Sequence, residues 1–160
     1  MEDWFLKIFN LYIDDIYRLA YSYTHSKEDS DDITQKTFIK YYKNINKINK
    51  NEKDAKKWLV TVTINECKDL FKTAWRKKTI FINEDNENFL YKNKNDNNEN
   101  LYFSLKKLPK KYRLVIHLYY FMGYSTKEIS KIMKINESTV RQRLLRGRNK
   151  LKNEMRCNYE

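Results

Sequence analysis

The sequence predicts an all-α protein: two small helical domains, an N-terminal bundle and a C-terminal helix-turn-helix, joined by a polar linker. Three observations carry this reading. Gly occurs twice and Pro once in 160 residues, so few positions interrupt a helix. Apolar residues recur at helical spacing in both the N-terminal and C-terminal parts of the chain. Between them, residues 79–104 lose that spacing and fill with Asn, Asp and Glu, the composition of a flexible tether. Glu84, Asp85, Glu87, Asp96 and Glu99 against Lys92 and Lys94 give the stretch a local charge of −3. The expected organisation is therefore a domain over 1–78, a flexible acidic linker over 79–104 and a second domain over 105–160.

Three helices are expected in the first domain. Trp4, Ile8, Tyr12, Leu19 and Tyr23 mark the first. The second follows Ser26, an N-cap with Asp29 at the third helical position, and carries Ile33, Tyr41, Ile45 and Ile48. Glu28, Asp29, Asp31 and Asp32 crowd its positive end, where the helix dipole favours them. A metal is the other use for such carboxylates, but no third ligand stands at a readable spacing. The third helix is expected from Asp54 to Arg76, with Ala55, Leu59, Val62, Leu70 and Ala74 inward. Trp58, Asn65 and Asp69 line an adjacent stripe, since seven residues is close to two turns. An aromatic and an amide beside a basic surface can stack on and hydrogen-bond an unpaired base. A Trp at the edge of an apolar face is more often core.

The C-terminal part is the more explicit. From Ser125 to Lys152 it reads STKEISKIMKINESTVRQRLLRGRNKLK, two helical patterns meeting at a tight break. Ser125 and Glu128 have the spacing of a capping box, and Ile129, Ile132 and Met133 form the first apolar stripe. Asn136 stands at the N-cap position of the second helix, where Val140, Leu144, Leu151 and Met155 recur on one side. Ser138, Arg141, Gln142, Leu145, Arg146 and Asn149 project from the other. Arg pairs with guanine, Gln with adenine, and Leu touches a thymine methyl, so this face has the chemistry to read a major groove.

Charge agrees with a polyanionic partner. Lys and Arg number 33 against 21 Asp and Glu, a formal net charge of +12. The longest apolar run, Leu118 to Met122 just after Val115 and Ile116, is too short to span a bilayer. The N-terminus MEDWFLKIFN begins acidic and lacks a signal-peptide pattern, so a cytoplasmic protein without membrane insertion is expected. Cys67 and Cys157 are far apart, and His25 and His117 are isolated. Neither a disulfide framework nor a metal centre is suggested, and no cofactor is expected.

The blocks SDDITQKTFIKYYKNI (Ser30 to Ile45) and WLVTVTINECKDLF (Trp58 to Phe71) resemble region 2 of bacterial sigma factors. LPKKYRLVIHLYYFMGYSTKEISKIMKINESTVRQRLLRGRNKLK, from Leu108 to Lys152, resembles their region 4. Two such domains around a polar linker are the layout of the extracytoplasmic-function group of the sigma-70 family. The resemblance implies a non-enzymatic subunit that binds core RNA polymerase and directs it to promoter DNA. It implies docking on the polymerase clamp through Asp32, Ile33, Gln35 and Lys36, with Lys36 standing where the family usually has Glu. The segment from Asn46 to Lys57 with Trp58 and Asn65 then matches the element that captures a flipped minus-10 base. Lys68, Lys72, Arg76, Lys77 and Lys78 are positioned to hold adjacent phosphates.

In region 4 the resemblance assigns minus-35 readout to Ser138, Thr139, Arg141, Gln142, Leu145 and Arg146, mostly residues that helical geometry had already turned outward. Lys134 and Ser138 occupy positions where the family commonly has Gly, so a positive φ at a modest cost is expected there, or a slightly different turn. An inhibitory anti-sigma factor is a further partner implied by the family alone. Two other classes use the same C-terminal motif: a stand-alone helix-turn-helix regulator, and a small recombinase or transposase. The first lacks a visible dimerising seam, and the second lacks an ordered set of nucleophile, base and phosphate-binding group.

Overall fold

A computed structural model of the chain describes residues 1–77 and 99–157. The chain divides into two compact units, Met1–Asp85 and Asn86–Glu160. The greater part of the stretch read as an acidic linker, residues 79–98, lies outside the described residues.

The first unit packs three helices, α1 (Glu2–Thr24), α2 (Lys27–Asn44) and α3 (Glu52–Lys77), with a 3-10 turn at Ile45–Lys47. Ile8, Ile16 and Leu19 of α1, Ile33, Phe38 and Tyr41 of α2, and Leu59, Val60 and Ile64 of α3 are buried together. Removing this apolar surface from water is the main force that holds the unit together. α1 stops where His25 turns left-handed at φ 50°, its N–H donating to the Tyr21 carbonyl. Ser26 then caps α2, its hydroxyl accepting from the Asp29 N–H at 3.2 Å, as its spacing predicts. α3 begins at Glu52, two residues before its expected start. There the Asn51 side-chain oxygen accepts from the Asp54 N–H at 2.8 Å. In return, Asn49 and Asn51 donate to the Asp54 carboxylate, which holds its pKa below the ordinary carboxylate value.

The buried arc of α3 differs from the expected stripe. Val60, Ile64 and Cys67 are buried while Val62 and Leu70 are only half-buried, because α3 contacts both α1 and α2 and must bury more than one stripe. The Ala74 side chain lies outside the described residues.

The second unit contains α4 (Glu99–Lys107), α5 (Lys110–Ile116), a π-helical turn at His117–Phe121, α6 (Thr126–Met133) and α7 (Glu137–Cys157). α7 is the central element, packed by α4, α5 and α6. Helical structure resumes at Glu99, within the stretch whose composition reads as linker. Leu101, inside this Asn- and Glu-rich stretch, and Leu105 and Leu108, just beyond it, stand at i, i+4 and i+7, and Leu105 and Leu108 are buried. That period outweighs composition once α7 is there to cover it.

Candidate nucleic-acid interface

In the helix-turn-helix, the Ser125 hydroxyl accepts the Glu128 N–H at 3.1 Å and donates to the Glu128 carboxylate at 3.1 Å. The box therefore closes through the two side chains, a variant of the expected reciprocal bond. Ile129, Ile132 and Met133 are buried as their spacing predicts. At the turn Lys134 takes the left-handed conformation, φ 56° and ψ 45°, in a position that favours Gly. Ser130 secures it: its carbonyl accepts the Lys134 and Ile135 N–H groups, and its hydroxyl donates to the Ile135 carbonyl at 2.6 Å. Ser138 needs no such strain, because it is already inside α7.

α7 turns Val140, Leu144 and Gly147 inward. Ser138, Arg141, Gln142, Leu145, Arg146 and Asn149 are exposed, and Thr139 is half-buried. Leu145 retains 54% of its surface, a large apolar side chain with no burial to explain it. The geometry thus gathers the six predicted reading residues on one side of a helix whose other side is anchored. Sequence reasoning missed Glu137. Its carboxylate accepts from the Thr126 hydroxyl at 2.9 Å and from Arg141 at 3.3 Å, linking α6 to the exposed face of α7. The i, i+4 spacing of Glu137 and Arg141 was the available signal.

On α3, Trp58, Asn65, Lys68 and Lys72 fall on one stripe, with Asn65 and Lys72 exposed and Lys68 half-buried. Trp58 is half-buried, its ring centroid 5.6 Å from that of Tyr41. It packs on the core and still keeps part of its surface exposed. Arg76 and Lys77 extend the helix, but their side chains lie outside the described residues, as does Lys78.

On α2, Asp32, Gln35 and Lys36 are exposed, whereas Ile33 is 2% exposed against Ala20 and Cys67. Lys36 bonds Asp32 at 2.9 Å, and this bond, with the charge of Asp32, raises the lysine pKa above its ordinary value. Lys40 pairs with Glu66 across α2 and α3. Ile39 and Tyr42 keep 47% and 43% of their surface on the face that carries Gln35. These apolar neighbours were missed too, although Gln35, Ile39 and Tyr42 follow the i, i+4, i+7 pattern.

Charge is unevenly divided. Residues 99–157 carry 15 Lys and Arg against four Glu, a net +11, while residues 1–77 carry 15 against 12 Asp and Glu, a net +3. The unit with the helix-turn-helix holds most of the attraction for a polyanion. Among the described residues no group of three His, Cys, Asp or Glu is placed to hold a metal ion, and no helix is long and apolar enough to cross a membrane.

A basic helix-turn-helix in one of two helical units is the mark of a DNA-binding protein. Family models agree with this division: Sigma-70 region 2 matches residues 8–77, and Sigma-70, region 4 matches residues 98–151. The ECF RNA polymerase sigma factor SigM of Bacillus subtilis is 31% identical over 153 residues, 91% of each chain. The RNA polymerase sigma factor SigV of the same organism is 30% identical over 135 residues, 83% of this chain and 80% of its own. Among solved structures, the sigma factor RpoE, in complex with the anti-sigma factor NepR from Bartonella quintana, superposes with a TM-score of 0.81. That likeness, at 20% identity over 98% of each chain, concerns the fold. CnrH, in complex with the cytosolic domain of CnrY, gives a TM-score of 0.67 at 21% identity, over 96% of this chain and 88% of its own.

The chain belongs to the extracytoplasmic-function group of the sigma-70 family. It is an alternative sigma factor that directs transcription initiation by RNA polymerase. The joint match to both regions favours neither a stand-alone regulator nor a recombinase.

Proposed function

We propose that the two units divide promoter recognition, residues 1–78 serving polymerase docking and the minus-10 element and residues 105–160 the minus-35 element. α4 and Leu101 extend the second unit upstream of residue 105. In this reading Ser138, Thr139, Arg141, Gln142, Leu145 and Arg146 face the minus-35 duplex. Trp58 and Asn65 take up an unstacked minus-10 base, and Lys68 and Lys72 hold neighbouring phosphates. Asp32, Gln35 and Lys36 contact the polymerase, while buried Ile33 supports them from behind. Residues 79–98 connect the units.

The observation that carries the reading is the exposed face of α7, where two arginines, a glutamine and a solvent-facing leucine stand on an anchored helix. That is a donor and methyl-contact set suited to base edges. No covalent chemistry is required. Binding energy from docking and duplex contacts offsets the few kcal/mol needed to unstack a base. The protein would act in the cytoplasm, where polymerase and DNA are, and an anti-sigma factor that occludes either unit would hold it inactive. The RpoE complex with the anti-sigma factor NepR is the precedent for such a partner.

Transcription on pooled genomic fragments with purified core polymerase tests the reading. Defined start sites that require this chain are the expected result. Sequence-specific binding by the chain alone, with no added initiation, would overturn it.

A further inference from the structure

The three aromatic residues Trp4, Tyr41 and Trp58 come from three different helices and meet in the first unit. Tyr41 is 0% exposed, yet it carries a hydroxyl, a polar group that is costly to bury without a partner. The partner is the indole N–H of Trp4, which donates to the Tyr41 oxygen at 3.2 Å. On its other side the Tyr41 ring lies 5.6 Å from Trp58, tilted by 58°. The ammonium groups of Lys7 and Lys50 lie over the Trp4 ring at 5.3 and 5.8 Å, and Lys7 also pairs with Glu52 at the start of α3. Lys50 belongs to the connection between α2 and α3. Trp4 therefore touches both Tyr41 and the connection that leads into α3.

We infer that Trp4 and Tyr41 are positioning residues for base capture: the bond between them fixes the tyrosine ring against which Trp58 is set. This rests on the proposed role of Trp58. A buried phenol is an unusual choice for a purely apolar contact, because Phe would fill the same space without needing a donor. The hydroxyl instead ties the ring to α1 and limits its movement. Trp58 is packed on Tyr41 and only half-buried, so part of its surface stays accessible. A stacking platform gains from such restraint, since rotational freedom lost in advance is not lost on binding.

The test uses holoenzyme assembled from core polymerase and full-length variants, on a promoter that the chain transcribes. Tyr41→Phe removes the hydroxyl and keeps the ring, and Trp4→Phe removes the N–H. Each is expected to lower permanganate reactivity of the minus-10 region about twofold to tenfold, the range of one hydrogen bond. Binding to the closed duplex should stay near that of the parent, and the thermal midpoint should fall further for Trp4→Phe, which leaves the buried Tyr41 hydroxyl without its donor, than for Tyr41→Phe. The two substitutions together should cost no more than either alone, since both remove one bond. In a Trp58→Ala background, Tyr41→Phe should add nothing. Normal opening by Tyr41→Phe, where Trp58→Ala impairs it, would overturn the positioning role. Normal opening by Trp58→Ala would instead overturn the base-capture reading on which it rests.

Discussion

Gly147 of α7 lies against Ile116 of α5 so closely that a Cβ at Gly147 would stand 2.9 Å from the isoleucine Cδ1 and 3.3 Å from Tyr112 Cβ. Here the glycine sets how near the two helices can come. Gly147→Ala gains about 1 kcal/mol of helix propensity, but forcing a methyl into a packed contact costs about 1 to 3 kcal/mol. The isoleucine end can turn aside, whereas Tyr112 Cβ moves only with its backbone. A net loss of about 1 kcal/mol in urea unfolding is expected. Adding Ile116→Val, which deletes the Cδ1, should recover part of it.

Arg141→Ala and Arg146→Ala should each cost about 1 to 3 kcal/mol of promoter binding if each makes a good base contact. Competition between matched and mutated minus-35 duplexes measures this directly. An unchanged preference in the double variant would rule out the proposed reading face. Glu137→Gln should weaken discrimination less, since it loosens the hold on Arg141 without removing the guanidinium.

Asn65 is exposed on the stripe with Trp58 and has no evident packing role. Asn65→Ala is therefore expected to leave unfolding midpoints alone and to reduce strand opening more than duplex binding. Permanganate footprinting beside a gel-shift measurement distinguishes the two steps. Equal loss in both would argue against base capture.

Burial against Ala20 and Ile33 pushes the Cys67 thiol up to about 12 from 9.0. The neutral thiol is the form compatible with the fold, so its contribution to stability is intact below pH 9 and declines as pH rises toward 12. At pH 8 the native protein should resist alkylation at Cys67, and urea should expose it. Peptide mass spectrometry after a short iodoacetamide pulse reports both states. Rapid native labelling of Cys67 would contradict its burial.

Salt should separate the units. With a net +11 in residues 99–157, minus-35 duplex binding is expected to weaken steeply as salt rises, on a log-log slope set by the number of phosphate contacts. Lys134→Ala, in the turn before α7, would change the intercept or slope without altering the preferred sequence if this lysine lies near a phosphate. A changed sequence preference would show instead that the left-handed turn sets the angle of α7.

Much of the fold is legible in the sequence. Ser26 and Ser125 declared their caps through the residues three positions on, and the faces of α6 and α7 followed from period alone. Both signals are local, encoded within one or two helical turns. The resemblance to sigma regions 2 and 4 was likewise carried by contiguous blocks. What was hidden depended on neighbours distant in sequence. Glu137 looked like an ordinary first-turn acid until Thr126 was found across the turn, 11 residues away. α4 was concealed by Asn and Glu because composition is averaged over a window, while burial is decided residue by residue. Leu105 and Leu108 count only when α7 is present to cover them.

Sequence by itself determined the class of fold, the helix-turn-helix, its outward arginines and the family, since each is written in local spacing or in ordered motifs. Only the tertiary structure decided which of the aligned residues are surface and which are support. Ile33 lies in the supposed docking motif yet is buried, and Tyr41, one of many tyrosines in the sequence, spans from Trp4 to Trp58. The reason is physical: helical period assigns a residue to a face, but what covers that face comes from other helices, and burial is a property of the packed whole.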